Sequence, residues 1–234
     1  MSKISDFLEK IHSAAPTPLG FGADRSDKSP GLGLFASLNK PTKQKLSTLS
    51  NNVDAIIFSE KPDNNLVKDI AIPWMCSGTD SEDSVSSLVE IGCDSIHCDL
   101  SAEVSAIAND DISVFLSVPV ESDWNQLMIL NTLPVDGYII NPKDLSSISL
   151  KKLSEIGSIT RSTDKYCLLS INQSPKASEL EALRKVGVMG LIINGDEVST
   201  PDIKKLKTNL TDMPNPNHKR KQRPQVKSVF EIEE

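Results

Sequence analysis

The chain is poor in the groups from which metal and nucleophilic sites are built. It has three histidines, His12, His97 and His218, which are far apart in sequence, and four cysteines, none in a Cys-x-x-Cys pair. A structural or catalytic metal needs three or four such ligands together, so no metal and no cofactor is expected. Cys76, Cys93, Cys98 and Cys167 each sit in an apolar run. Scattered in this way they read as small buried residues of a reduced protein, not as a disulfide framework. GxSxG, P-loop and dinucleotide GxGxxG patterns are missing, and "GLGLFA" has the wrong spacing and lies in a β-rich run. Also lacking is any apolar stretch of membrane-spanning length, and the N-terminal "MSKISDFLEKIH" is charged and amphipathic, unlike a signal peptide. A cytoplasmic protein with no membrane partner is the expectation.

Cations are scarce where nucleic acid would need them. The net charge is −7, yet from Met213 onward Lys219, Arg220, Lys221, Arg223 and Lys227 outnumber Glu231, Glu233 and Glu234. The body before that point therefore carries about −9. Phosphate neutralisation needs a basic face, so nucleic acid is not an expected partner, residues 219–223 being the one basic run.

What the chain does have is a repeated β-rich signal. Eight short runs recur: "GLGLFASL" (31–38), "VDAIIFS" (53–59), "IPWMCSG" (72–78), "CDSIHCD" (93–99), "ISVFLSV" (112–118), "VDGYIIN" (135–141), "YCLLSIN" (166–172) and "MGLIIN" (189–194). Helix-like segments lie between them. "DSEDSVSSLVEIG" begins with acids and ends at Gly92; "SPKASELEALRKVG" has Ser174 before Pro175 and ends at Gly187; "STPDIKKLKTNL" repeats the Ser/Thr-Pro start. Strands alternating with helices imply parallel β-structure, and eight units in this length imply an α/β fold closed as a (β/α)8 TIM barrel. An open doubly wound sheet is the competing architecture. The even-numbered runs resemble one another, which favours a barrel with internal repetition.

The expected organisation is an N-terminal helix and Pro/Gly loop over 1–30 that covers the barrel bottom, a barrel over 31–210, and a charged, flexible tail over 211–234. Trp74 and Trp124 read as packing residues.

Alternate residues of a barrel strand point inward. The even strands then contribute Ala55, Ser95, Gly137 and Gly190 low in the barrel, and Ile57, His97, Ile139 and Ile192 above them. Ser59, Asp99, Asn141 and Asn194 reach the C-terminal mouth. The odd strands contribute a bulky layer, Phe35, Met75, Phe115 and Leu168, followed by Ser37, Ser77, Ser117 and Ser170. Four serines at four equivalent positions make a polar ring a candidate ligand surface.

"GCDSIHCDLS" (92–101) looks like dense site chemistry, but the strand disperses it. Cys98 should point into the helix layer, Asp94 should point outward near the strand start, and Cys93 belongs to the preceding turn. His97 fills a slot whose equivalents are isoleucine, so it reads as a core histidine bonded to the serine ring. Lys61 and Lys143 fall just past strands 2 and 6, on loops, and do not offer a lumenal Schiff-base amine. Asp99 is the one carboxylate in the inward sets, where barrels place their chemistry. It is the candidate acid/base, and Ser37, Ser59, Ser77, Ser117, Asn141, Ser170 and Asn194 are the candidate ligand-binding set. An ion pair with Lys61 or Lys143, or capping of the segment from Ser101, is the competing role for Asp99.

The joints "EIGCDSIHCD" and "KVGVMGLIIN" resemble those of the phosphate-binding, aldolase-type TIM barrels, a group that includes thiamine phosphate synthase and the indole-forming enzymes of tryptophan biosynthesis. The chain as a whole is similar to an uncharacterised bacterial set of such barrels. The resemblance spans about residues 31 to 210. It implies an anion grip in Gly-rich turns after strands 7 and 8. This chain departs from that pattern: strand 7 ends "SINQS", and after strand 8 Gly195 is followed by Asp196 and Glu197, which would repel a phosphate. Two functions remain in view. One is a non-catalytic barrel binding a small molecule or partner at its mouth; the other is a lyase or isomerase using Asp99. The oligomeric state is not legible.

Overall fold

A computed structural model describes residues 2–12, 30–143, 145 and 147–214. Eight parallel strands close on themselves in sequential order: β1 (Gly33–Leu38), β2 (Ala55–Phe58), β3 (Trp74–Ser77), β4 (Ser95–Cys98), β5 (Ser113–Val118), β6 (Gly137–Ile140), β7 (Tyr166–Ile171) and β8 (Gly190–Asn194). The register that closes the ring pairs Phe35 with Ile192 and Ser37 with Asn194. The barrel, not the open sheet, is the fold.

Outside the sheet lie α2 (Lys43–Ser50), α3 (Asn64–Val67), α4 (Glu82–Val89), α5 (Trp124–Leu130), α6 (Leu150–Arg161), α7 (Ala177–Val186) and α8 (Thr200–Thr211). After β4 the covering element shrinks to one 3₁₀ turn, Val104–Ile107. Local chemistry sets these boundaries. Thr42, Asp123, Ser149 and Ser199 accept the N–H three residues on at the starts of α2, α5, α6 and α8. Gly187 ends α7 at φ 106°, a conformation that costs any residue with a Cβ. The Ser174-Pro175 start does not nucleate α7, which begins three residues later. There Glu179 reaches back to accept the Lys176 N–H at 2.7 Å.

Two apolar layers follow from the alternation. One lies between sheet and helices and holds Leu34, Ile56, Trp74, Cys98 and Tyr138. The other fills the barrel and consists of Phe35, Ala55, Ile57, Met75, Phe115, Ile139, Leu168 and Ile192. The interior residues are those the alternation assigned. Glycines on the even strands make room for rings on the odd ones: a Cβ on Gly137 would stand 2.4 Å from the Phe115 ring, and one on Gly190 2.6 Å from that of Phe35.

Helix α1 (Lys3–His12) brings Ile4 and Leu8 into this interior cluster, so it stops the bottom of the barrel. Asp94 accepts the N–H groups of Lys3 and Ile4. Ser5 meets Ser113 at 2.9 Å, and the Tyr166 hydroxyl donates to Glu9. Two expected features, the Pro/Gly loop at 13–29 and the tail beyond 214, lie outside the described residues. No helix among the described residues is long and apolar enough to cross a membrane.

Trp124 departs from its packing role. It opens α5 with 60% of its surface exposed, whereas Trp74 is buried edge-on against Phe58.

Candidate functional site

With the bottom stopped by α1, the barrel opens at the C-terminal ends of its strands. The serine ring lies there, one position above the filled interior. Ser37, Ser77, Ser117 and Ser170 are all half-buried, unlike the fully buried Phe35, Met75, Phe115 and Leu168 two residues before them. Ser59 and Asn194 are half-buried too, while Asn141 and Asp99 are exposed.

Hydrogen bonds gather these groups into sectors. Across β5, β6 and β7, Asn141 Nδ2 donates to Ser117 Oγ at 2.9 Å, and Ser170 Oγ donates to Asn141 Oδ1. Three of the expected residues thus form one row. On the opposite side Ser59 Oγ donates to Asn39 Oδ1, and Ser37 Oγ donates to the Ile193 carbonyl at 3.2 Å. Asn194 turns its amide oxygen to the Asp196 N–H at 3.0 Å, shaping the β8 loop.

His97 stands beneath the ring, and its Nδ1 lies 2.9 Å from Ser77 Oγ. Burial lowers its pKa to about 4 against the opposing charge of Asp99, so the imidazole is neutral at pH 7. Its Nε2 is buried and has no partner among the described residues. A neutral imidazole above an apolar interior can donate through one nitrogen and accept through the other without placing a charge at the mouth.

Asp99 is brought to the rim but not into the row. Its Oδ1 accepts the Ser101 N–H at 2.7 Å and the Ser101 hydroxyl, closing a short turn after β4. Those two bonds, the hydroxyl first, hold its carboxyl below the ordinary carboxylate range. A carboxylate so committed is a weaker base than a free one.

Asp196 differs from the expected repulsive charge. Lys45 on α2 lies 2.6 Å from its Oδ1, and the Asn39 N–H donates to Oδ2 at 2.7 Å. Burial pushes this carboxyl up, but Lys45 and the backbone amides outweigh burial and leave it lowered. Asp196 therefore ties the β8 loop to the β1 loop.

The remaining residues of "GCDSIHCD" separate as the alternation requires. Cys98 is buried on the outer side of the sheet and Cys93 in the turn before β4. The capping role of Asp94 was not read from the sequence. A signal for it existed: Asp54, Asp94 and Asp136 recur one residue before their strands, and Asp54 and Asp136 accept the Leu34 and Val114 N–H groups. Among the described residues, no three His, Cys, Asp or Glu side chains are grouped so as to hold a metal.

No family model matches the chain, and no curated protein is similar to it in sequence. Solved structures do share its shape. A mutant tryptophan synthase α-subunit from the hyperthermophile Pyrococcus furiosus superposes with a TM-score of 0.59 at 14% identity, over 77% of this chain and 97% of that one. KGPDC from Streptococcus mutans gives 0.61 at 13% identity, over 78% and 98%. The tryptophan synthase complex of Pyrococcus furiosus gives 0.58 at 12% identity, over 79% and 97%. Similarity at these identities is similarity of fold, and the chain is a (β/α)8 barrel of the aldolase-type shape that those structures share.

Proposed function

We propose that the chain is a binding barrel whose C-terminal mouth holds a small, uncharged, hydroxyl- or amide-bearing molecule, without acid–base chemistry. The row Ser117–Asn141–Ser170 carries this reading. It sets neutral donors and acceptors side by side at the open end of the barrel, where this architecture places its ligands. The neutral His97 lies below the ring, with one nitrogen unpartnered among the described residues. An uncharged polar ligand can exchange hydrogen bonds with such groups without leaving a charge unpaired. The turn after β7 lacks glycine, and after β8 the N–H groups of Gly195, Asp196 and Glu197 already donate to Ser37 and Asn194, so these amides are not free to cradle an anion.

The test is a titration of the full chain with short neutral polyols and aldoses and with their phosphate monoesters, read by calorimetry. The neutral compounds should bind and the phosphate esters should not, and Asn141→Ala should weaken binding at least about tenfold, the factor equivalent to ~1.4 kcal/mol. Tighter binding of the phosphate esters would overturn the reading. Turnover of a sugar phosphate that survives Asn141→Ala but is lost in Asp99→Asn would favour the second function, a lyase or isomerase with Asp99 as acid/base.

A further inference from the structure

The side of the barrel carries an apolar surface that the mouth does not explain. Helix α5 buries Leu127 and Leu130 against the sheet but leaves Trp124, Met128 and Ile129 outside, at 60%, 48% and 66% exposure. Trp124 and Met128, at i and i+4, share one flank, and α5, "WNQLMIL", contains no charge. Next to it, Leu150 opens α6 at 86% exposure. Trp124, Leu150, Leu153, Gly157, Arg161 and Val186 line a groove of about 460 Å³. Gly157 lines it beside Val186 of α7, which a Cβ there would meet at 3.6 Å, an ordinary contact. A contiguous exposed apolar surface with a tryptophan at its edge marks an interface, and tryptophan is among the residues that dominate interface energies.

Charge identifies the occupant. Residues 69–142, from before β3 to just past β6, contain no lysine or arginine. The chain leading into α5 therefore carries acids and no cations, with Glu121 and Asp123 immediately before Trp124. On the other flank α6 carries Lys151, Lys152 and Arg161 against the single acid Glu155. The surface thus has an apolar centre with an acidic edge beside α5 and a basic edge beside α6. A twofold rotation maps this surface onto its complement, which is the requirement for an isologous dimer.

We infer that the partner for this face is a second copy of the chain. A twofold axis parallel to the barrel axis sets α5 of each copy against α6 of the other. Trp124 then covers the partner's Leu150, and Glu121 and Asp123 face the partner's Lys151 and Lys152. Both helices begin at the same end of the barrel, so the apolar pair and the charge pairs meet in one layer. Neither copy's mouth is covered by this contact.

Sedimentation velocity on the full chain at micromolar concentrations tests it. Wild type should sediment as a dimer and dissociate on dilution, and Trp124→Ala should weaken association at least about tenfold. Glu121→Lys and Lys151→Glu should each give monomers, because each sets like charges together at both symmetric contacts. Mixing these two variants restores opposite charges at both contacts, so the mixture should dimerise, as should the chain carrying both changes. The three side chains are exposed, so circular dichroism should show unchanged folding. A wild type that stays monomeric, reversals without effect, or a mixture that remains monomeric would overturn the proposal. Association that disappears when residues 215–234 are removed would overturn it as well, since the occupant would then be that segment and not α6.

Discussion

Asp94 caps Ile4 from 90 residues away in the chain, accepting its N–H at 3.0 Å and that of Lys3 at 2.8 Å. A helix leaves its first amides without partners, and here the barrel supplies the acceptor at the foot of β4. The same contact holds the apolar Ile4 and Leu8 over the bottom of the core. Asp94→Ala should cost about 1–2 kcal/mol, the ordinary value of an N-cap, in urea unfolding. Asp94→Asn, which keeps one acceptor oxygen, should cost less. Hydrogen exchange should localise the loss to residues 3–12; protection in α1 equal to wild type would show that the cap does not hold the helix in place.

Gly137 and Phe115 are fitted to each other on paired positions of neighbouring strands. A Cβ at 137 would stand 2.4 Å from the Phe115 ring and 2.8 Å from the Tyr166 carbonyl, and the latter is backbone that moves only with the sheet. Gly137→Ala should therefore destabilise by about 1–3 kcal/mol, the usual cost of overpacking a filled core. Phe115→Leu on the same chain should recover part of that loss in thermal unfolding. No recovery would assign the strain to the backbone contact alone.

Much of the architecture was legible because the barrel repeats itself. "VDAIIFS", "CDSIHCD", "VDGYIIN" and "MGLIIN" occupy the same place in successive βαβα units, so aligning them gave the inward residues directly. The odd-strand serines emerged from the same alternation, as did a bond from His97 to the serine ring, though not that Ser77 is the partner. Three other features depend on where loops and helices travel, and strand periodicity does not encode that. The capping of α1 by Asp94 needs the N-terminal helix placed beneath β4. The neutralisation of Asp196 needs α2 to bring Lys45 across from the first unit. Trp124 looked like packing because tryptophan usually is, and its exposure follows from α5 presenting only Leu127 and Leu130 to the sheet.

The four cysteines should be chemically silent in the folded chain. Burial pushes Cys76 and Cys98 up to about 11, and Cys93 and Cys167 up to about 12. A thiol reacts as its thiolate, which these groups scarcely form at neutral pH. Ellman's reagent at pH 8 should therefore release almost no thiolate colour from native protein and four equivalents once the chain is unfolded in guanidinium. A fast-reacting cysteine under native conditions would mean that its strand or turn opens locally.

His97 should make the fold sensitive to acid in a defined window. Its folded pKa is pushed down to about 4 by burial, against an ordinary value of 6.5 in the unfolded chain. Above pH 6.5 both states are neutral at this residue and it gives stability no pH dependence. Between 6.5 and 4 the unfolded chain takes up a proton that the folded chain refuses, so stability falls as pH falls through that range and levels off below it. A shift of this size corresponds to on the order of 3 kcal/mol. His97→Leu removes the titrating group while keeping an apolar side chain where β2, β6 and β8 carry Ile57, Ile139 and Ile192. At pH 7.5 the variant should stay within about 1–2 kcal/mol of wild type, since the half-buried Ser77 hydroxyl can turn to water when it loses Nδ1. The decisive quantity is the difference between wild type and variant followed from pH 7.5 to 4, because the acidic residues titrate alike in both. That difference should move steadily in favour of the variant as pH drops. A constant difference across the window would show that the folded barrel takes up the proton as readily as the unfolded chain, so that burial does not lower the His97 pKa.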